Sequence, residues 1–213
     1  LHEGDVLAAF MPNTPETVVA MLTASSLGAV FTSTSADFGV EGVLDRFSQS
    51  NPKVLVAAAG YEYNGKYFDN LEKIRQLERR LPSLEKILIV DFLKVGVDLS
   101  GLEKATLWSE IPESNRSPEF KALPFSHPLY IMYSSGTTGK PKCIVHSAGG
   151  TLLQHIKELA LHSDLTKSKR ICFFTTCGWM MWNWLVSSLY FGSEIVLYEG
   201  SPGYPTLQKF FEV

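Results

Sequence analysis

Cysteine is scarce in this chain: three in 213 residues, at Cys143, Cys172 and Cys177. The count is odd and no two are spaced as metal ligands, so the sequence argues against a disulfide-stapled fold. It predicts free thiols in a reducing cytosol. Histidine is equally thin and dispersed. His155 and His162 fall seven apart on one predicted helical face without a carboxylate partner, so no metal site is expected. No apolar run approaches the ~20 residues that cross a bilayer, so no membrane partner is expected. Neither sign of charge dominates, at a net −3. The one dense basic cluster, Lys73, Arg75, Arg79 and Arg80, is interleaved with Glu72 and Glu78. That pattern reads as a solvated helix face and leaves nucleic acid without a footprint. An initiating methionine and a leader are also missing. Leu1-His2-Glu3-Gly4-Asp5 runs straight into a predicted strand, so the expectation is an internal slice of something longer.

What is present is enough apolar material, 45% of residues, to bury a sizeable core. Strand-like runs alternate with helical patterns. Strands are predicted at 6–11, 29–33, 53–58 and 86–90, and helices at 16–27, 42–49 and 67–80. Pro12-Asn13-Thr14-Pro15 reads as a helix start, and Gly28 as a helix stop. Periodicity fades over 91–127, a predicted crossing segment. It resumes with strands at 129–132, 170–176 and 194–198 and helices at 148–161 and 180–190. Such alternation predicts an α/β fold of parallel sheets flanked by helices.

Two stretches carry chemistry. Tyr133 to Lys142 reads Y-S-S-G-T-T-G-K-P-K, directly after an apolar strand. Gly136 and Gly139 allow the backbone to turn its N–H groups inward as an anion nest. Ser134, Ser135, Thr137 and Thr138 add hydroxyls, and Lys140 and Lys142 add positive charge. The composition alone also suits a flexible polar loop. A Walker-type loop does not fit, because only two residues separate the glycines and Pro141 follows Lys140. The lysines beside Cys143 predict a thiol shifted towards thiolate. The second stretch, Thr175 to Leu185, reads T-T-C-G-W-M-M-W-N-W-L. It suits a buried aromatic helix, but Gly178-Trp179 also follows a predicted strand, where open α/β sheets place ligands.

The first stretch resembles the phosphate-loop signature of the AMP-forming acyl-CoA synthetases, members of the adenylate-forming superfamily that includes firefly luciferase. It departs from that signature at Cys143, where glycine is usual. His146, Ser147 and Ala148 resemble the short-chain branch. The Gly178-Trp179 element is similar to the one preceding the acyl-pocket residues of acetyl-CoA synthetases, and Met180-Met181-Trp182-Asn183-Trp184 is nearer the members that activate acetoacetate. The resemblance covers nearly the whole chain from Gly4. It implies part of the large N-terminal domain of that fold over residues 1–213. The adenine and ribose elements, hinge, C-terminal domain and its catalytic lysine belong to segments not among these residues. No catalytic residue is therefore expected within 1–213, and the 213 residues alone are expected to be inert.

The implied reaction is that of an acid–thiol ligase. Acetoacetate attacks Mg-ATP to give acetoacetyl-AMP and pyrophosphate, and coenzyme A then displaces AMP. By resemblance, Ser134, Ser135, Gly136, Thr137, Thr138, Gly139, Lys140 and Lys142 would hold ATP phosphates. Trp179, Met180 and Met181 would shape the acyl pocket. Asn183 would either reach the 3-keto oxygen or brace the start of a helix. Lys66 would meet the nucleotide phosphate of coenzyme A, or else be a solvated lysine beside a turn. An acetyl- or propionyl-CoA synthetase, disfavoured by Trp182-Asn183 where those resemble Gly-His, and a non-catalytic product remain the alternatives.

Overall fold

The computed structural model describes residues 1–114, 117–134 and 139–212. Seven strands form the main sheet: β1 (Val6–Met11), β2 (Val30–Ser35), β3 (Val54–Ala58), β6 (Lys86–Val90), β7 (Ala105–Leu107), β8 (Pro128–Tyr133) and β9 (Cys143–Ser147). Strands β4 (Gly60–Tyr63) and β5 (Lys66–Asp69) pair as a separate antiparallel hairpin, and β10 (Arg170–Cys172) and β11 (Glu194–Val196) pair in parallel. The order across the main sheet is β7-β6-β3-β1-β2-β8-β9, parallel except for the last pair.

The central strands are apolar almost throughout because both of their faces are covered, as parallel sheets require. Leu7, Ala9 and Met11 of β1 and Val56 and Ala58 of β3 face one core. Ala8 and Phe10, with Leu55 and Ala57, face the other. The first core is closed by α1 (Pro15–Leu27) and α5 (Met180–Ser187), through Val18, Met21 and Trp182. The second is closed by α2 (Val40–Ser50) and α3 (Leu71–Arg80), through Phe47, Ile74 and Leu77. Two further helices are α4 (Ala148–Leu161) and α6 (Leu207–Phe211). Helix α1 begins with Pro15 at its first turn. It ends at Gly28, whose φ of 72° is left-handed and whose N–H caps the last turn.

Several predicted elements are corrected. Tyr67–Asp69 do not open a helix but form β5, because Asn64-Gly65, both at positive φ, turn the chain into a hairpin on which Tyr61 and Phe68 stack across the strands. The crossing segment contributes β7 to one sheet edge. Residues 173–176 leave the β10–β11 ladder, so β10 stops at Cys172. Helix α5 gives way to a 3₁₀ turn at Ser188–Phe191. The largest correction is β9: between the phosphate-loop stretch and α4 the chain first runs back antiparallel along β8.

Candidate functional site

From β1 the chain moves to β2 on one side, then returns past β1 to β3 on the other. The carboxyl ends of these strands therefore border a topological switch point, the usual position of a ligand crevice. A cavity of about 420 Å³ lies there, walled by Ser35 at the end of β2, Asp37 just after it, Tyr61 and Phe68 of the hairpin, and Thr176 and Glu199. A smaller recess of about 60 Å³ adjoins it through the shared Thr176 and is lined by Arg46, Tyr133, Gly178 and Trp179. The two sequence stretches, read separately, thus meet at one place.

The phosphate-loop stretch leaves the sheet as the connection between β8 and β9, and its neck is pinned twice. The Ser134 N–H donates to the Lys142 carbonyl over 3.0 Å, and the Lys142 N–H donates to Ser134 Oγ over 3.0 Å. Gly139, at φ 92°, holds a conformation that a side chain would strain. Lys140 pairs with Asp45 of α2 at 3.5 Å, and Gln49 of the same helix donates to the Pro141 carbonyl at 2.8 Å. Ser135, Gly136, Thr137 and Thr138 lie outside the described residues. At the end of β8 the Tyr133 hydroxyl lies 3.0 Å from Thr32 Oγ1 and 3.4 Å from Ser50 Oγ, and burial raises its pKa.

The facing wall is held to the sheet through Cys177. Its thiol donates to the Met11 carbonyl at 3.0 Å, while Ser33 Oγ donates to the Cys177 carbonyl at 2.6 Å. Complete burial pushes this thiol up to about 12. Trp179, the N-cap of α5, is 61% exposed. Met180 follows at 42% and Met181 is half-buried, so this run opens outward.

Asn183 does not join them. It is 1% exposed, with Nδ2 donating to the Met132 sulfur at 3.2 Å and the Trp179 carbonyl at 3.4 Å, while Oδ1 is buried without a partner. The free atom is an acceptor, and the donor side of the amide is taken up by Met132 and by the Trp179 carbonyl at the start of α5. Cys143 also departs from expectation: burial raises its thiol pKa despite the neighbouring lysines. Lys66 stands exposed on β5, the strand whose Phe68 faces the larger cavity.

Three residues at the site were missed. Arg46 stacks on Phe38 and Tyr133, with its guanidinium carbon 4.8 Å and 5.8 Å from the ring centroids. Asn13 was read only as part of a helix start. Glu199, whose carboxyl is raised by burial and by the Asp37 charge, carried no local signal. Among the described residues, no group of three or more His, Cys, Asp or Glu could hold a metal ion, and no helix is long and apolar enough to cross a membrane.

A sheet whose strand ends border a switch point, with Tyr133 and Gly178-Trp179 lining one recess there, defines a ligand-binding protein of the open α/β class. The family described as AMP-binding enzyme matches residues 1–213, and the chain belongs to that family. Within it, the chain is 47% identical over 218 residues to the acetoacetyl-CoA synthetase of Danio rerio, covering 99% of this chain and 32% of the relative. It is 49% identical to the acetoacetyl-coenzyme A synthetase of Rhizobium meliloti, covering 98% and 32%. The solved structure of acetoacetyl-CoA synthetase from Streptomyces lividans superposes with a TM-score of 0.93 at 42% identity, over 98% of this chain and 32% of that one. The chain therefore spans about a third of the length of the relatives it matches.

Proposed function

We propose that the protein carrying this chain is an AMP-forming acetoacetate–CoA ligase in the cytosol, and that residues 1–213 form part of its N-terminal, nucleotide-binding domain. One observation carries the reading: Tyr133, the first residue of the phosphate-loop stretch, and the Gly178-Trp179 element line a single recess at the sheet's switch point. That arrangement would bring the phosphates of ATP beside an acyl acid. In-line attack of a carboxylate on the α-phosphate then needs charge stabilisation and alignment more than a protein nucleophile.

Ser134, Gly139 and Lys142, with 135–138, would hold the β- and γ-phosphates. Magnesium would arrive with the ATP as part of the substrate. Lys140 would have to leave Asp45 to contribute, a small loss, since exposed ion pairs are worth about 0–1 kcal/mol. Trp179, Met180 and Met181 would wall the acyl acid, because methionine adapts to a four-carbon chain. The larger cavity, with Tyr61 and Phe68 as stacking faces and Lys66 on the same hairpin, suits a nucleotide carrying phosphate, as coenzyme A does.

Acetoacetate-dependent exchange of pyrophosphate into ATP tests the proposal. Lys142→Ala should lower the exchange rate by about two to three orders of magnitude, as loss of one preorganised donor costs about 2.7–4 kcal/mol. Parental exchange in that variant, or no acid-dependent exchange in the parent, would overturn the assignment.

A further inference from the structure

Asn13 is 2% exposed and joins two separate segments through its backbone N–H and both side-chain polar atoms. Its backbone N–H donates to Glu199 Oε2 at 2.7 Å, and its Nδ2 donates to the Tyr198 carbonyl at 3.2 Å. Its Oδ1 accepts from the Trp182 indole N–H at 2.8 Å. Trp182 is fully buried, stacks on Phe31 of β2 at 6.0 Å between centroids, and lies in the first turn of α5, directly after Met180 and Met181. The wall of the larger cavity and the first turn of α5, which carries Met180 and Met181, are therefore joined by hydrogen bonds on either side of Asn13. A carboxylate kept in such a place is costly unless its contacts are used.

We propose that Glu199 is a positioning residue for the acyl site: through Asn13 and Trp182 it fixes the first turn of α5, and so the placement of Met180 and Met181, against the end of β1. The chain of contacts has a direction. Glu199 orients the Asn13 backbone, the Asn13 amide is then held with Oδ1 towards α5, and the indole can rotate only by leaving that acceptor unpaired. Among the described residues, Asn13, Trp182 and Glu199 form no hydrogen bond to the phosphate-loop stretch, so the effect is expected on the acyl acid and not on ATP. The inference rests on the acyl-activating function proposed above, and its test separates the two.

In the protein carrying this chain, Glu199→Ala should raise KM for acetoacetate in pyrophosphate exchange about tenfold or more. It should also reduce the preference for acetoacetate over acetate, with KM for ATP within about twofold of the parent. Glu199→Gln, which keeps a carbonyl acceptor for the Asn13 N–H, should restore both values. Trp182→Phe, which keeps the stack but removes the indole donor, should reproduce Glu199→Ala. An equal rise in both KM values, an unchanged acid preference in Glu199→Ala, or failure of Gln to rescue overturns the inference. A second readout needs no activity: in the 213-residue chain, hydrogen exchange at the Trp182 indole N–H should accelerate in Glu199→Ala and not in Glu199→Gln. Unchanged exchange overturns the relay itself. A parent without acid-dependent exchange overturns the proposed function and leaves the indole measurement to judge the relay.

Discussion

Replacing Asn183 by leucine tests whether a buried amide in the first turn of α5 reads substrate or holds the helix. The two side chains have the same number of heavy atoms, so the exchange isolates polarity. In the parent, the Met132 sulfur at 3.2 Å and the Trp179 carbonyl at 3.4 Å share one donor group, both long contacts. Each is worth no more than about 0.5–1 kcal/mol net, while the unpartnered Oδ1 carries a desolvation penalty of about 1–3 kcal/mol that leucine removes. The larger methyl groups return part of that as crowding, typically about 1–3 kcal/mol when a packed site is overfilled. The balance lies within about 1 kcal/mol of zero, which for a chain of this length moves Tm by no more than about 2–4 °C. Asn183→Asp, by contrast, would bury a charge with no cation beside it and should destabilise by several kcal/mol. Thermal unfolding of the 213-residue chain reads these differences. The functional half compares acetoacetate with butyrate in pyrophosphate exchange, where Asn183→Leu should keep the parental preference. A variant that folds normally but no longer distinguishes the keto acid refutes the assignment of Asn183 as a brace.

Two further outcomes follow from buried titrating groups. Burial lowers the pKa values of both His155, whose Nδ1 meets Ser187 Oγ at 2.8 Å, and His146, so the unfolded chain binds more protons below about pH 6.5. Their stabilisation is complete above that pH and lost as pH falls through the folded values. Glu199, raised by burial, slopes the opposite way. Denaturant titrations between pH 7.5 and 5 should show the acid-side loss, and His155→Gln should flatten it; an unchanged slope contradicts the burial argument. Alkylation at pH 8 should label Cys143 and Cys172, both exposed, and reach Cys177 only after unfolding, since that thiol is fully buried and pushed up to about 12. Prompt labelling of Cys177 in the folded chain refutes that packing.

The parts legible in the sequence are those whose causes are local. The strand 6–11 was found at its full length because Val-Leu-Ala-Ala-Phe-Met is apolar on both faces, and Gly28 marks a helix end because its backbone is left-handed. The phosphate-loop stretch and the Gly178-Trp179 element were visible as residue patterns, although their meeting was not. Asn64-Gly65 is itself a hairpin signal, and the helical charge pattern holds only from Leu71, so the helix expected over 67–80 starts four residues too early. Strand β9 had no such cue. Cys143 to Ser147 is short and becomes a strand because the Ser134–Lys142 neck folds it back onto β8. Asn13 and Glu199, 186 positions apart, meet through a single hydrogen bond that no spacing rule anticipates.

The antiparallel return of β9 also changes the electrostatics of the site. Were the polar loop to lead straight into α4, the helix N-terminus would add its partial positive charge beside any bound anion. Instead β9 carries the chain the length of β8, pairing Ser147 with Pro128, so α4 begins at the amino end of that strand, away from the loop. An anion held by residues 134–142 must therefore be neutralised by the loop's own N–H groups and hydroxyls, by Lys140 and Lys142, and by cations standing at the same edge. Arg46 is placed for that, in the recess with Tyr133 and Trp179, its guanidinium on two aromatic faces that hold it in position without consuming its charge. Cys143 opens β9 opposite Tyr133, where the extended backbone accepts a side chain and needs no glycine.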